Sequence, residues 1–149
     1  MERMAQAREL ARVFNYIEEL VSQNQPLVVL IDGPAGAGKT TLAKEIATAF
    51  SSVNVVHMDD LYNGWDNPLN HELYARIERQ ILRPHIAGDE ITHEVFNWHT
   101  GTFATNVNLQ PKQILIVEGV GSASIPLRGV ADLIMYVEIS AEAGVERVI

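Results

Sequence analysis

The chain has 149 residues, with 11 Lys and Arg against 19 Asp and Glu, and a formal charge of −8 at pH 7. Without cysteine it holds no disulfide, thiolate zinc site, iron–sulfur cluster or cysteine nucleophile. The acidic balance argues against nucleic acid as a general partner, because that affinity rests on Lys and Arg neutralising phosphates, and no apolar run approaches the roughly 18 residues of a membrane span. Apolar side chains at Leu10, Val13, Phe14, Ile17, Leu20 and Val21 recur at a helical period and predict a helix over residues 4–23, its stripe packed on the rest of the fold. Leu27–Ile31 is a continuous, β-branched-rich apolar run bounded by Pro and Gly, as expected of a parallel strand buried on both faces. A glycine-rich loop over 33–40 leads into a helix over 40–50 with Leu42, Ile46 and Ala49 on one side. Val53–His57 reads as a second strand and 59–70 as a loop. Asn70 caps a helix carrying Leu73, Ile77, Ile81 and Leu82, which Pro84 ends. Over 85–110, Ile91, Val95 and Phe96 suggest short strands, and Thr100-Gly101-Thr102 a turn. Ile114–Val117 is a third buried strand ending in Glu118-Gly119, and a fourth runs from Asp132 to Ile139. Ser140 then caps a final helix, within which Glu146-Arg147-Val148-Ile149 fall. Strands alternating with helices predict an α/β domain with a mostly parallel sheet.

Gly33-Pro34-Ala35-Gly36-Ala37-Gly38-Lys39-Thr40 matches G-x-x-x-x-G-K-[ST] at every fixed position, between a buried strand and an amphipathic helix. Glycines allow successive N–H groups to turn inward around phosphate oxygens. The helix that follows offers its unpaired amides and positive dipole end to the same anion. Lys39 supplies a charge for the β- and γ-phosphates and Thr40 a hydroxyl for Mg²⁺. A dinucleotide fingerprint is the nearest rival, but it needs glycine or alanine where Thr41 stands.

Right-handed strand–helix–strand units bring successive strand ends to one edge of the sheet, where ligands bind. Asp59 and Asp60 follow the second strand and Glu118 the third, so all three reach the edge that carries the phosphate loop. Glu118 closes the run Ile-Leu-Ile-Val-Glu, the form of a Walker B element, and is expected to hold Mg²⁺ opposite Thr40. Asp59 or Asp60 is a candidate base for an acceptor hydroxyl, with nothing in the spacing to choose between them. The five histidines are scattered without metal-ligand spacing and read as loop or edge residues. Trp65 and Trp98 either stack on a base or cover the core. Arg76, Arg79 and Arg83 read as a solvated helix face.

Gly33–Thr40, His57-Met58-Asp59-Asp60-Leu61-Tyr62, Val95-Phe96-Asn97-Trp98-His99 and Glu118-Gly119-Val120 together resemble the uridine kinase-like group of P-loop nucleoside kinases. That resemblance implies a three-layer α/β P-loop NTPase sandwich of nucleoside/nucleotide-kinase type. It implies ATP and Mg²⁺ as cofactors, and a nucleotide and a small-molecule acceptor as partners, while a homo-oligomer stays open. The donor sits on Gly33 through Thr41, with Lys39 catalytic and Thr40 and Glu118 at the metal. Asp59 is the acid near the acceptor's 5′-hydroxyl, while Asp60 falls at a position the group fills variably. Tyr62 helps shape the acceptor pocket, Phe96 lies against the base, and His99 contacts base or sugar. Asn97 stands where the group has an Asp on the ribose hydroxyls, which removes a charge-assisted bond. Members of the group continue further, so the last strand and an arginine-bearing lid are expected beyond this chain, with Arg147 opening the helix that precedes the lid. The domain then spans 1–149, with an N-terminal helix in 1–25 and a nucleotide-binding core in 26–149, in the cytoplasm. A kinase for a non-nucleoside metabolite and a non-catalytic ATP-binding module are the competing readings.

Overall fold

The computed structural model of the chain describes residues 2–139 and 146–148. The main sheet takes β1 (Leu27–Asp32), β2 (Val53–His57), β5 (Ile114–Glu118), β6 (Leu133–Ile139) and β7 (Glu146–Val148) in the order β2-β5-β1-β6-β7. All pairings are parallel except β6 with β7. β1 lies between β5 and β6, pairing Leu27 with Ile114 on one side and Val29 with Leu133 on the other. Its unbroken apolar run follows from that central place. Val28 and Leu30 enter one core cluster, while Leu27, Val29 and Ile31 enter the other.

Two helices cover the second of these faces. α1 (Glu2–Val21) buries Ile17, and α2 (Lys39–Ala49) buries Leu42, Ala43 and Ile46, with Phe14 of α1 edge-on to Phe50 at 6.1 Å. The other face is covered by the helical run from His71, a hairpin and the short α5 (Ile125–Arg128). These three layers are the α/β arrangement expected, built around a mostly parallel sheet. Among the described residues no helix is long and apolar enough to cross a membrane.

Several elements depart from the sequence reading. Asn70 does cap α3 (His71–Ile77), its Oδ1 accepting from Leu73 N at 2.9 Å, yet Pro84 does not end the helical run. Glu78–Leu82 form a π turn in which Arg83 N–H reaches back to Glu78 O, and Pro84 then falls in the opening turn of α4 (Arg83–Ile86). A missing N–H has no intrahelical partner to lose there. Residues 91–109 form an antiparallel hairpin of β3 (Ile91–Asn97) and β4 (Thr102–Leu109), apart from the main sheet. Gln80 in the π turn fastens it, donating to Glu94 Oε1 at 3.0 Å and accepting from Glu94 N at 3.1 Å.

His85 lies in a helix rather than on a loop or edge, and both it and His93, on β3 of the hairpin, are buried. His85 Nε2–H donates to Leu27 O at 2.8 Å, and burial lowers its pKa, so it ties α4 to the start of β1 as a neutral ring. The helix capped by Ser140 lies outside the described residues at its start, and Glu146–Val148 is a strand instead of helix. β6 would otherwise present an open row of N–H and C=O groups on that side, which β7 pairs.

Candidate functional site

The loop from Gly33 to Gly38 joins β1 to α2 at the carboxyl edge of the parallel strands. Gly33 (φ +145°) lies against β6 so closely that a Cβ there would collide with the Val137 carbonyl. Gly38 (φ +91°) takes the left-handed conformation at the mouth of α2. Leu42 N is the first α2 amide with a partner inside the helix, Gly38 O at 3.0 Å, which leaves the amides of Lys39, Thr40 and Thr41 ahead of the helical ladder. Lys39 is buried, and its Nζ donates to Pro34 O at 2.7 Å across the loop. Positive charge, free amides and open φ values thus meet in one concavity, the donor set of a polyphosphate cradle.

Asp32, the last residue of β1, is a functional position the sequence reading passed over. Its Oδ1 accepts from Gly33 N at 2.7 Å and Gly121 N at 3.1 Å, and its Oδ2 from Ala123 N at 2.9 Å. One carboxylate therefore holds the start of the phosphate loop against the loop that follows β5. A carboxylate ending an otherwise apolar strand, directly before Gly33, was the available signal.

The cavity beside the loop holds about 450 Å³ and is lined by Gly36, Lys39, Thr40, Thr41, Asp59, Glu118 and neighbours. Asp59 stands on a 3₁₀ turn, Met58–Asp60, directly after β2; it lines the cavity and Asp60 does not. Glu118 ends β5, where Oε1 accepts from Thr40 Oγ1 at 3.1 Å and lies 2.5 Å from His57 Nδ1. The bond to Glu118 raises the His57 pKa, against burial, which lowers it. Thr40 and Glu118 thus bring two oxygens to one point. No group of three or more His, Cys, Asp or Glu that could hold a metal occurs among the described residues. A cation here would draw its remaining ligands from phosphate and water, as Mg²⁺ does, and the residues present fit Mg-nucleotide on that count.

Next to the cavity, on the far side of Asp59, lies an aromatic cluster, joined to it where Trp98 Nε1 donates to Asp59 O at 3.4 Å. Tyr62 is buried, its hydroxyl donating to Val120 O at 2.5 Å, so it fixes the loop after β5 rather than presenting a free edge. That burial and nearby Asp59 raise its pKa, keeping the phenol protonated. Phe96 is only 7% exposed, held edge-on between Trp98 at 4.9 Å and Phe103 at 5.2 Å. The accessible rings nearby are Trp98 and Trp65. Asn97 Oδ1 accepts from His99 N at 2.9 Å and Thr100 N at 3.2 Å, folding the hairpin turn on which His99 is exposed. Arg76 leaves the solvated face assigned to it. It is half-buried, lies 4.2 Å above the Phe103 ring and donates to Leu61 O at 2.6 Å. Arg79 and Arg83 are exposed.

A mostly parallel α/β sheet with a glycine-rich phosphate loop between its central strand and a helix defines a P-loop fold. Within that class the chain is uridine kinase-like in sequence and in fold. It is 26% identical over 140 residues to a uridine kinase from Halalkalibacterium halodurans, an alignment covering 83% of this chain and 65% of that protein. The chain therefore spans just under two thirds of that relative's length. The structure of a possible uridine kinase from Bacillus stearothermophilus superposes with a TM-score of 0.63 at 23% identity, over 84% of this chain and 80% of that one. A provisionally named fructose transport system kinase from Silicibacter sp. TM1040 gives a TM-score of 0.64 at 18% identity, over 89% and 74%. The profile of the Zeta toxin family matches residues 10–62, the stretch from α1 through the phosphate loop to Tyr62.

Proposed function

We propose that this chain carries the core of an ATP-dependent cytoplasmic kinase that phosphorylates a small-molecule hydroxyl, the 5′-hydroxyl of a nucleoside such as uridine or cytidine. One observation carries the reading: Asp59 lines the same cavity as Lys39, Thr40 and the loop glycines Gly36 and Gly38. Bound MgATP would supply the phosphoryl group and the charge of its metal. Lys39 and the amides at the start of α2 would hold the phosphates, with Thr40 and Glu118 at the ion. Asp59 would orient the acceptor hydroxyl and take its proton. The partners are then a nucleotide and a small-molecule acceptor, and the charge of −8 argues against nucleic acid.

Asn97 favours a second reading, a kinase for a non-nucleoside metabolite. Its side-chain oxygen is committed to His99 N and Thr100 N, where the uridine kinase-like group has an acid for ribose. A turnover panel of uridine, cytidine, sugars and other metabolite alcohols with MgATP separates the two. Asp59→Asn is expected to lower kcat by about 10²–10⁴-fold, with ATP affinity unchanged. ATP binding that depends on Lys39, with no transfer to any acceptor, would leave a nucleotide-binding module.

A further inference from the structure

The chain has two tryptophans, and they lie against each other, ring centroids 4.8 Å apart and planes 19° from parallel. Their supports differ. Trp98 stands at the end of the hairpin strand β3, edge-on to buried Phe96, with Nε1 donating to Asp59 O at 3.4 Å. Trp65 belongs to the loop after the 3₁₀ turn, next to Gly64 (φ +134°), and is 67% exposed. Core burial does not account for the position of so exposed a ring. Its ring partners are Trp98 and, at 5.6 Å, Tyr62, whose hydroxyl is fixed to Val120 O. The paired face of Trp98 is thus covered by a ring of this chain, beside the backbone of Asp59, a residue that lines the phosphate cavity.

We propose that Trp65 is a resident stand-in for the acceptor's ring, and that a flat, unsaturated ring carrying the hydroxyl displaces it from the face of Trp98. This rests on the kinase reading above and adds to it the ring that the acceptor must displace. A base–aromatic stack and a tryptophan pair are of comparable strength, so the exchange is close to balanced. An acceptor with such a ring replaces what it removes. A bare sugar or aliphatic alcohol offers nothing in return and leaves the pair closed. While the pair is closed, the competing ring lowers the apparent affinity for acceptor by the fraction of chains it occupies. Phe96, enclosed between Trp98 and Phe103, then acts as the support that holds Trp98 upright and not as the stacking surface.

The stack can be read directly, because no other indole contributes. Titrate the full chain, loaded with Mg²⁺ and a non-transferable ATP analogue, with uridine, cytidine, uracil, ribose and glycerol. Binding is followed by calorimetry and the indole pair by its near-ultraviolet exciton circular dichroism. Uridine, cytidine and uracil are expected to abolish the couplet, while ribose and glycerol leave it. Trp65→Ala, on an exposed loop, should lack the couplet in the absence of acceptor and bind uridine about two- to tenfold more tightly, the fold-change of one aromatic pair removed. A couplet unchanged by bound nucleoside overturns the exchange, as does weaker uridine binding in Trp65→Ala, which would make Trp65 a wall of the pocket. Failure of every ring-bearing probe to bind overturns it too. Phosphorylation of ribose with the couplet intact keeps the kinase reading and sinks the exchange. Loss of the couplet on adding uridine, with no acceptor ever phosphorylated, does the reverse.

Discussion

Asp59 stands between two walls made of different material, the phosphate loop and the aromatic cluster. Residues 33–41 face it with main chain, shaped by Gly33, Gly36 and Gly38 at positive φ and backed by the dipole end of α2. The other wall is made of side chains drawn from three places: the loop after β2, the β3–β4 hairpin, and Arg76 on α3. A backbone cradle recognises what every nucleoside triphosphate shares and is fixed by a contiguous stretch of chain. A side-chain wall exists only once distant segments have met. The first is generic and local, the second particular and assembled.

Substitutions can separate these two kinds of construction. Of the changes that tell the two walls apart, Lys39→Ala has the largest expected effect. Removing one preorganised cation from a site where charge develops should lower turnover by about 10²–10³-fold, and MgATP affinity measured by calorimetry should fall with it. Acceptor binding at the aromatic wall should persist, and if it vanishes too the walls are not independent.

Asp32→Ala comes next and acts on the frame both walls share. It leaves the amides of Gly33, Gly121 and Ala123 without their partner, so the urea midpoint should drop by the equivalent of about 2–4 kcal/mol. Asp32→Asn should restore part of that loss.

The smallest effect is a pH dependence at His57. Its pKa in the folded chain lies above the ordinary 6.5, chiefly through the bond to Glu118. The stabilisation is therefore whole below 6.5 and is lost as pH rises through the folded value. Thermal midpoints of the metal-free chain across pH 6–9 should show that decline beyond the slope of His57→Gln. Equal slopes would remove His57 from the description of the phosphate side.

What could be read in the sequence follows the same division. The phosphate loop was legible because its geometry needs glycine, lysine and threonine at fixed local spacing. β1 and β5 were legible because strands covered on both faces must be apolar throughout. β4 was not, since Thr102–Leu109 is largely exposed on a two-stranded hairpin and carries two asparagines, poor strand formers. The helical run past Pro84 was missed because the π turn resets which residue begins the next turn. Asp59 and Glu118 could be brought to one edge by topology alone. The burial of Tyr62, the commitment of Asn97 to its own turn and the inward reach of Arg76 depend on neighbours far along the chain. Periodicity does not encode them. Asp32 lay in plain view, but its three amide partners did not.

Arg76 holds Leu61 O with one end and lies over Phe103 with the plane of its guanidinium region. Leu61 is two residues from Asp59, and Phe103 is on the far strand of the hairpin. Positions 76 and 103 are therefore bound to one another as inheritance is, and not only as contact: a lineage that loses the ring at 103 loses one of the two contacts that favour an arginine at 76. Among relatives of this chain the two identities should change together, and with them the placement of the carboxylate turn, although neither residue faces the phosphate.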